Sequence, residues 1–222
     1  MNAASVVVFD VNGTLSDMSE MRERFREVGA PAEMAEVWFA ALLRDGFALA
    51  AAGSSERFAT IGAGVLACLL TGAVLDRPLE HATRHILEGF LALEVHPDVP
   101  DGVRALAAGG ARLVTLTNGT AEVGEQLLAR AGVRDMFERL LSVEEAGVWK
   151  PAPGAYHFAA RTCQVEPAQM MLVAVHPWDI DGAGRAGLRT AWIDRTGLPY
   201  PAHFRPPDIR ARSLSALADA LA

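Results

Sequence analysis

Four apolar residues, Val6 to Phe9, run without a polar interruption into a carboxylate, Asp10, and a Gly-Thr pair follows at Gly13-Thr14. An unbroken apolar run this short fits a strand covered on both faces. That is the habit of parallel sheets walled by helices, not of half-exposed antiparallel ones. The stretch VVVFDVNGTLSD therefore points to an α/β fold and predicts a strand that delivers Asp10 to a hydroxyl-braced loop at its carboxyl end.

The texture changes after that loop. From Asp17 to about Glu94 strand-like runs are scarce, and MSEMRERFREVG, AEMAEVWFAALLRDGFALAAAG, SSERFATIGAGVLACLLTG and LEHATRHILEGFLAL read as helices separated by Gly, Ser and Pro. Alternation then resumes. A helix in HPDVPDGVRALAAGG is followed by strand RLVTLTN, helix TAEVGEQLLARAG, a short strand near ERLLSVE and helix GAYHFAARTCQV. Strand MMLVAVH, a short helix DIDGAGRAG and strand TAWID complete the pattern. Strands alternating with helices imply a doubly wound parallel sheet, formed by residues 1–16 and 95–222, with a helical cap, residues 17–94, inserted after the first strand. Ligands of such sheets bind beyond the carboxyl ends of the strands. Asp10, Asn118 and Asp179 each fall just after a strand and are expected to share that crevice.

Composition narrows the partners. The 222 residues are 51% hydrophobic and 21% charged, ordinary for a globular protein, and the net charge of -7 argues against nucleic acid as a partner. Cys68 and Cys163 show no metal-binding or redox spacing and are expected to be buried, reduced thiols. MNAASVVVFD lacks the basic start and long apolar region of a signal peptide. The most apolar window, Ile61 to Leu75, has 15 residues and three glycines, which suits a buried helix better than a bilayer span. No membrane association and a cytoplasmic location are the expectation.

Four separated motifs, FDVNGTL, LTNGT, VWKP and HPWDIDGA, stand in an order that resembles the haloacid dehalogenase-like hydrolase superfamily over nearly the whole chain. The resemblance implies a Rossmann-like core, a cap over the site, and Asp10 as a covalent nucleophile. Physical reasons run beside it. A carboxylate becomes an effective nucleophile when desolvated and held in line with the reacting centre. Thr14 can orient Asp10, and Lys150 can keep it ionised beside other acids. Thr117 and Asn118 offer donors to an anionic substrate.

Asn12 then decides between chemistries. The phosphatases of this superfamily resemble one another in carrying Asp two residues after the nucleophile, to protonate a departing alkoxide, a task usually worth about 10²–10⁴-fold. They also place a magnesium-holding acid where this chain has Ala174. A halide leaves as a stable anion and needs no proton. The chain is accordingly most similar to the (S)-2-haloacid dehalogenase (type II) branch, through LTNG, SVEEAGVWKP and the Trp178-Asp179 pair. The implied reaction is displacement of halide from a small 2-haloalkanoic acid by Asp10. Water activated near Asp179, with His176 at hand, then hydrolyses the ester. Neither metal nor other cofactor is expected.

That branch usually carries Tyr at the position of Asn12, Ser at Ala174, Asn at His176, and a cap Trp-Arg pair where this chain has Trp38-Phe39. Arg44 lies five residues beyond Phe39, about 140° around a helix, and is no direct stand-in. The resemblance thus assigns Asp10, Thr14, Lys150 and Asp179 to catalysis. It assigns Val11, Asn12, Phe39, Thr117, Asn118, His176 and Trp178 to the substrate. A homodimer through the apolar cap stays open. Two rivals remain: a phosphatase or esterase using the same nucleophile, to be told apart by magnesium dependence, and a silent binding protein that kept the fold. GAGRAG (Gly182 to Gly187) matches a dinucleotide fingerprint but sits too late, on too short a helix. His81 and His85 share a helix face without a third metal ligand.

Overall fold

The computed structural model describes residues 5–222. Its elements in chain order are β1 (Val6–Phe9), α1 (Met21–Arg26), α2 (Met34–Ala51), α3 (Phe58–Leu70), α4 (Leu79–Leu91), α5 (Val99–Ala108), β2 (Arg112–Thr117) and α6 (Ala121–Arg130). They continue with β3 (Phe137–Ser142), α7 (Val143–Ala146), α8 (Pro153–Cys163), β4 (Met170–Ala174), α9 (Pro177–Arg185), β5 (Arg189–Ile193), β6 (Ile209–Ala211) and α10 (Leu214–Leu221). The described residues divide into two compact units, one running to Ser16 and resuming over Glu94–Ala222, the other spanning Asp17–Leu93.

The first unit is an α/β sandwich around one six-stranded sheet in the order β3-β2-β1-β4-β5-β6. Every pairing is parallel. All residues of β1 and β4 are buried, as their unbroken apolar sequences require. β1 lies between β2 and β4, so the strand order reverses direction at β1. That reversal opens a crevice beyond its carboxyl end. Phe9, Val103, Leu128, Val173, Ile193 and Leu214 belong to the apolar core of this unit.

The chain leaves and re-enters this unit through a small clamp. Ser16 bridges Val95, and the His96 N–H donates to the Leu15 carbonyl at 2.9 Å. The return is fixed by Asp98, which begins α5 with Pro100 in its first turn.

The second unit is all-helical. Trp38 is its fully buried centre: it packs edge-on to Phe90 and tilted to Phe25, and its Nε1–H donates to the Gly62 carbonyl at 3.0 Å. Phe58 stacks on Phe90 from α3. The window Ile61–Leu75 is a helix only to Leu70, and none of the described helices is long and apolar enough to cross a membrane.

Three readings from sequence needed correction. Cys163 is buried, but Cys68 is exposed on α3, where it lines an open groove with Val37, Ala41 and Leu49 of α2. The helix expected over MSEMRERFREVG opens as a single 3-10 turn, Met18–Glu20, whose Asp17 side chain accepts from the Ser19 N–H. β6 and α10 were not anticipated. Three residues of strand after the Pro206-Pro207 pair carry too short a pattern to read, and β6 is held by pairing with β5 and by Arg210 stacked 4.7 Å over the Trp192 ring.

Close approach of α5 and α10 depends on Gly102. A Cβ there would lie 2.4 Å from the Leu214 Cβ and 2.8 Å from the Leu214 carbonyl carbon. Overpacking of this kind costs about 1–3 kcal/mol. Gly102→Ala is therefore expected to lower the free energy of unfolding by that order, read as a lower urea midpoint, whereas Gly64→Ala, with open space around it, should not. Equal midpoints for the two variants would show that α10 yields freely.

Candidate active site

Asp10 leaves β1 with its N–H still bonded to the Val173 carbonyl, so the sheet itself fixes its start. The loop then turns sharply: Gly13 adopts φ +82°, which side-chain-bearing residues rarely accept, and Val11 O receives the N–H groups of Leu15 and Ser16. The turn brings the Thr14 hydroxyl onto Asp10 Oδ2 at 2.6 Å. That hydroxyl in turn accepts from the Val175 N–H at 3.1 Å, tying the loop after β1 to the loop after β4.

Lys150 completes the centre. Its Nζ donates to Asp10 Oδ1 at 2.9 Å and to Asp179 Oδ2 at 2.7 Å, and all three side chains are buried. Asp179 lies in the first turn of α9, where the helix amides favour an acid. Asn118 places the lysine. Its Oδ1 accepts from the Lys150 N–H at 2.9 Å and its Nδ2 donates to the Lys150 carbonyl at 3.2 Å. Thr117 Oγ1 accepts from the Gly119 N–H, and the Ser142 hydroxyl donates to the Gly119 carbonyl. Asn118 therefore frames the lysine, and the side-chain polar atoms of both Thr117 and Asn118 are engaged inside the protein.

Burial acts against every charge here, and the partners decide the outcome. Desolvation pushes the Asp10 carboxyl up, but Lys150, His176 and the Thr14 hydroxyl together hold it below the usual range. Asp179 is likewise raised by burial, and its one cation does not overcome that and the neighbouring Asp10 charge, so it keeps its proton more firmly than usual. Burial alone would depress Lys150, yet the two carboxylates raise it. One carboxylate poised as an anion and a second with enhanced basicity are what nucleophilic attack followed by proton removal needs.

His176 caps α9 and sits at the rim. Its Nε2 is 2.8 Å from the Asn12 carbonyl and 3.6 Å from Asp10 Oδ2, and its ring stacks on Trp178 at 5.2 Å. Trp178 in turn lies 5.9 Å from the Lys150 ammonium. The core thus brings together Asp10, Asn12, Thr14, Thr117, Asn118, Lys150, His176, Trp178 and Asp179. Val11 is buried in the apolar core, and its side chain has no open face for a ligand. Phe39 belongs to the helical unit, half-buried beside Met18, Met21, Ala35 and Glu36.

Tyr156 went unread in the sequence. Its hydroxyl donates to Asp179 Oδ1 at 2.6 Å, and burial together with the Asp179 charge raises the phenol well above its ordinary value. The only sequence signal was an aromatic residue with a polar tip on the buried face of α8. The GAGRAG run also finds its reason here. A Cβ on Gly182 would lie 2.6 Å from Pro151 Cβ and 2.7 Å from the Tyr156 hydroxyl, so this glycine admits the groups that surround Asp179.

The donor set does not suit a divalent cation. Among the described residues no three His, Cys, Asp or Glu side chains are placed to hold a metal ion together, and the two central carboxylates are shared with an ammonium.

A family model described as haloacid dehalogenase-like hydrolase matches residues 4–187. An (S)-2-haloacid dehalogenase of Pseudomonas sp. (strain YL) is 30% identical over 218 residues, spanning 96% of this chain and 92% of that protein. Haloacetate dehalogenase H-2 of Moraxella sp. (strain B) is 27% identical over 224 residues and 100% of both chains. Among solved structures, a dehalogenase with an intermediate complex superposes with a TM-score of 0.92 at 26% identity, over 100% of this chain and 99% of that one.

Lys150 contributes stability that is present below its ordinary 10.5 and lost as pH rises through its raised folded value. Asp10 contributes above its ordinary 3.8 and loses that contribution as pH falls through its lowered one. Lys150→Met leaves two buried carboxylates without their cation, a loss of about 3–5 kcal/mol for breaking such a pair. Both carboxyls would then titrate upward, so the loss should be larger at pH 8 than at pH 5 in urea unfolding. A pH-independent loss would assign it to packing instead.

Proposed function

The chain belongs to the haloacid dehalogenase-like hydrolase family, and on that premise we propose that it hydrolyses the carbon-halogen bond of a small 2-haloalkanoic acid through an ester on Asp10. One observation carries the reading: the buried Lys150 ammonium donates both to Asp10, whose other oxygen takes the Thr14 hydroxyl, and to the buried Asp179 on its other side. The dehalogenase names of its relatives support the choice of substrate.

In the first step an Asp10 oxygen attacks the α-carbon. The carbon-halogen bond breaks with its electron pair, and halide departs without a proton. Asn12, 7% exposed and unable to act as an acid at neutral pH, is sufficient for that leaving group. In the second step water attacks the carboxyl carbon of Asp10, losing its proton toward Asp179. The Asp10 oxygen that is not alkylated keeps a donor throughout, Lys150 for Oδ1 or Thr14 for Oδ2. A donor of this kind is worth about 10²–10³-fold in rate. The bond from the Asp10 carboxyl carbon to the alkylated oxygen then breaks. That oxygen takes the proton back from Asp179 and departs as the hydroxyl of the 2-hydroxy acid. Asp10 is restored as a carboxylate by losing its remaining proton to solvent.

The substrate is itself an anion approaching an anion. His176 stands at the rim, 3.6 Å from Asp10 Oδ2, and its ring serves the substrate carboxylate in this reading. Trp178 walls the same rim through its stack on His176. A phosphatase reading is disfavoured by Asn12 and by Ala174, a fully buried methyl on β4 where no acid is present.

Halide release from chloroacetate, bromoacetate and 2-chloropropionate is expected to persist in excess chelator and to vanish in Asp10→Asn. In a single turnover in ¹⁸O-water with enzyme in excess, the label should enter the Asp10 carboxylate and not the hydroxy acid. Label found in the product at that stage would mean direct attack of water and would remove the ester from the mechanism.

A further inference from the structure

Arg195 follows β5, distant in sequence from every motif of the site, yet its guanidinium reaches the nucleophile loop. Nη2 donates to the Thr14 carbonyl at 2.9 Å and Nη1 to Asp98 Oδ1 at 2.7 Å. Asp98 Oδ2 accepts from the Leu214 N–H at 2.7 Å, and its carboxyl is held below the usual range because that amide and Arg195 outweigh its burial. The Arg195 Nε is buried and, among the described residues, has no hydrogen-bond partner. Leaving such a donor unmet is unfavourable. The side chain is therefore committed to two chosen acceptors at the expense of its third site.

Those acceptors matter. Thr14 meets Asp10 and the Val175 N–H through one oxygen, its hydroxyl, and its carbonyl is a separate point at which the residue is held. We propose that Arg195, braced by Asp98, is a positioning residue for the reaction: it fixes the Thr14 carbonyl and thereby keeps the Thr14 hydroxyl on the Asp10 oxygen, in line for attack. It acts through Thr14 and does not itself meet the substrate. The inference rests on the haloacid reading for its kinetic part only.

The test is a double-mutant cycle of Arg195→Gln with Thr14→Val, alongside Arg195→Lys, which keeps the charge on a single donor nitrogen. Displacing a reacting group by about an ångström can cost on the order of 10²-fold. Arg195→Gln is expected to lower kcat for halide release by about 10- to 100-fold with KM nearly unchanged, and Arg195→Lys to recover part of it. In the Thr14→Val background, Arg195→Gln should cost little more, since the group it positions is gone. A full additional loss in that background, or a loss confined to thermal stability, would overturn the proposal. If the wild-type protein releases no halide, the substrate reading fails, and the strut is then judged by amide hydrogen exchange. Faster exchange at Val175 in Arg195→Gln, with Met170 to Ala174 unchanged, supports it. Unchanged exchange at Val175, or acceleration throughout β4, refutes it.

Discussion

A single ammonium between two carboxylates organises this protein's core. Lys150 is fully buried, and so is Asp179, while Asp10 is 3% exposed. Each charge alone would be expelled from such surroundings or neutralised. Together they are tolerable only at hydrogen-bond distance, which forces three distant parts of the chain to converge: the end of β1, the segment before α8, and the start of α9. The two hydrogen bonds from Asn118 to the Lys150 backbone follow from the same demand, because a long side chain serves two acids only if its root is immobile. Tyr156 satisfies the remaining Asp179 oxygen.

The sheet supplies the geometry that makes convergence feasible. With β1 flanked by β2 and β4, the loops that leave these strands emerge side by side. Thr14, Val175 and His176 stitch the first loop to the third through short hydrogen bonds, and Trp192 on β5 donates to the Val175 carbonyl at 2.9 Å. The loop bearing His176 is thus held from both sides. Rigid support of this kind preorganises the nucleophile and avoids paying for its orientation during each turnover.

Much of this was legible in the sequence, for physical reasons that also explain the gaps. Val6–Phe9 announced a central strand because burial on both faces leaves no alternation, and Asp10, Asn118 and Asp179 could be placed by their position just after strands. Lys150 was legible as a charge for Asp10, but its equal hold on Asp179 was not, since spacing does not reveal which acids a buried lysine reaches. Asn118 looked like a substrate donor. Its two bonds to Lys150 depend on a loop approach of 32 residues that no local pattern encodes. Tyr156 and Arg195 were hidden for the same cause: each acts on a motif residue from an element that carries no motif.

Asn12 now has a reason that is electrostatic as well as chemical. A second acid at this position would bring another negative charge to a centre where two carboxylates already share one ammonium. The local surplus would raise Asp10 and weaken its nucleophilic anion. A phosphoryl enzyme can carry that surplus by binding a divalent cation. This centre has an amide at Asn12 and a methyl at Ala174, so neither position adds a negative charge to the two carboxylates that share Lys150. The same choice that removes a proton donor for a leaving group keeps Asp10 ionised. A first step whose leaving group is a halide needs no proton there and loses nothing by it.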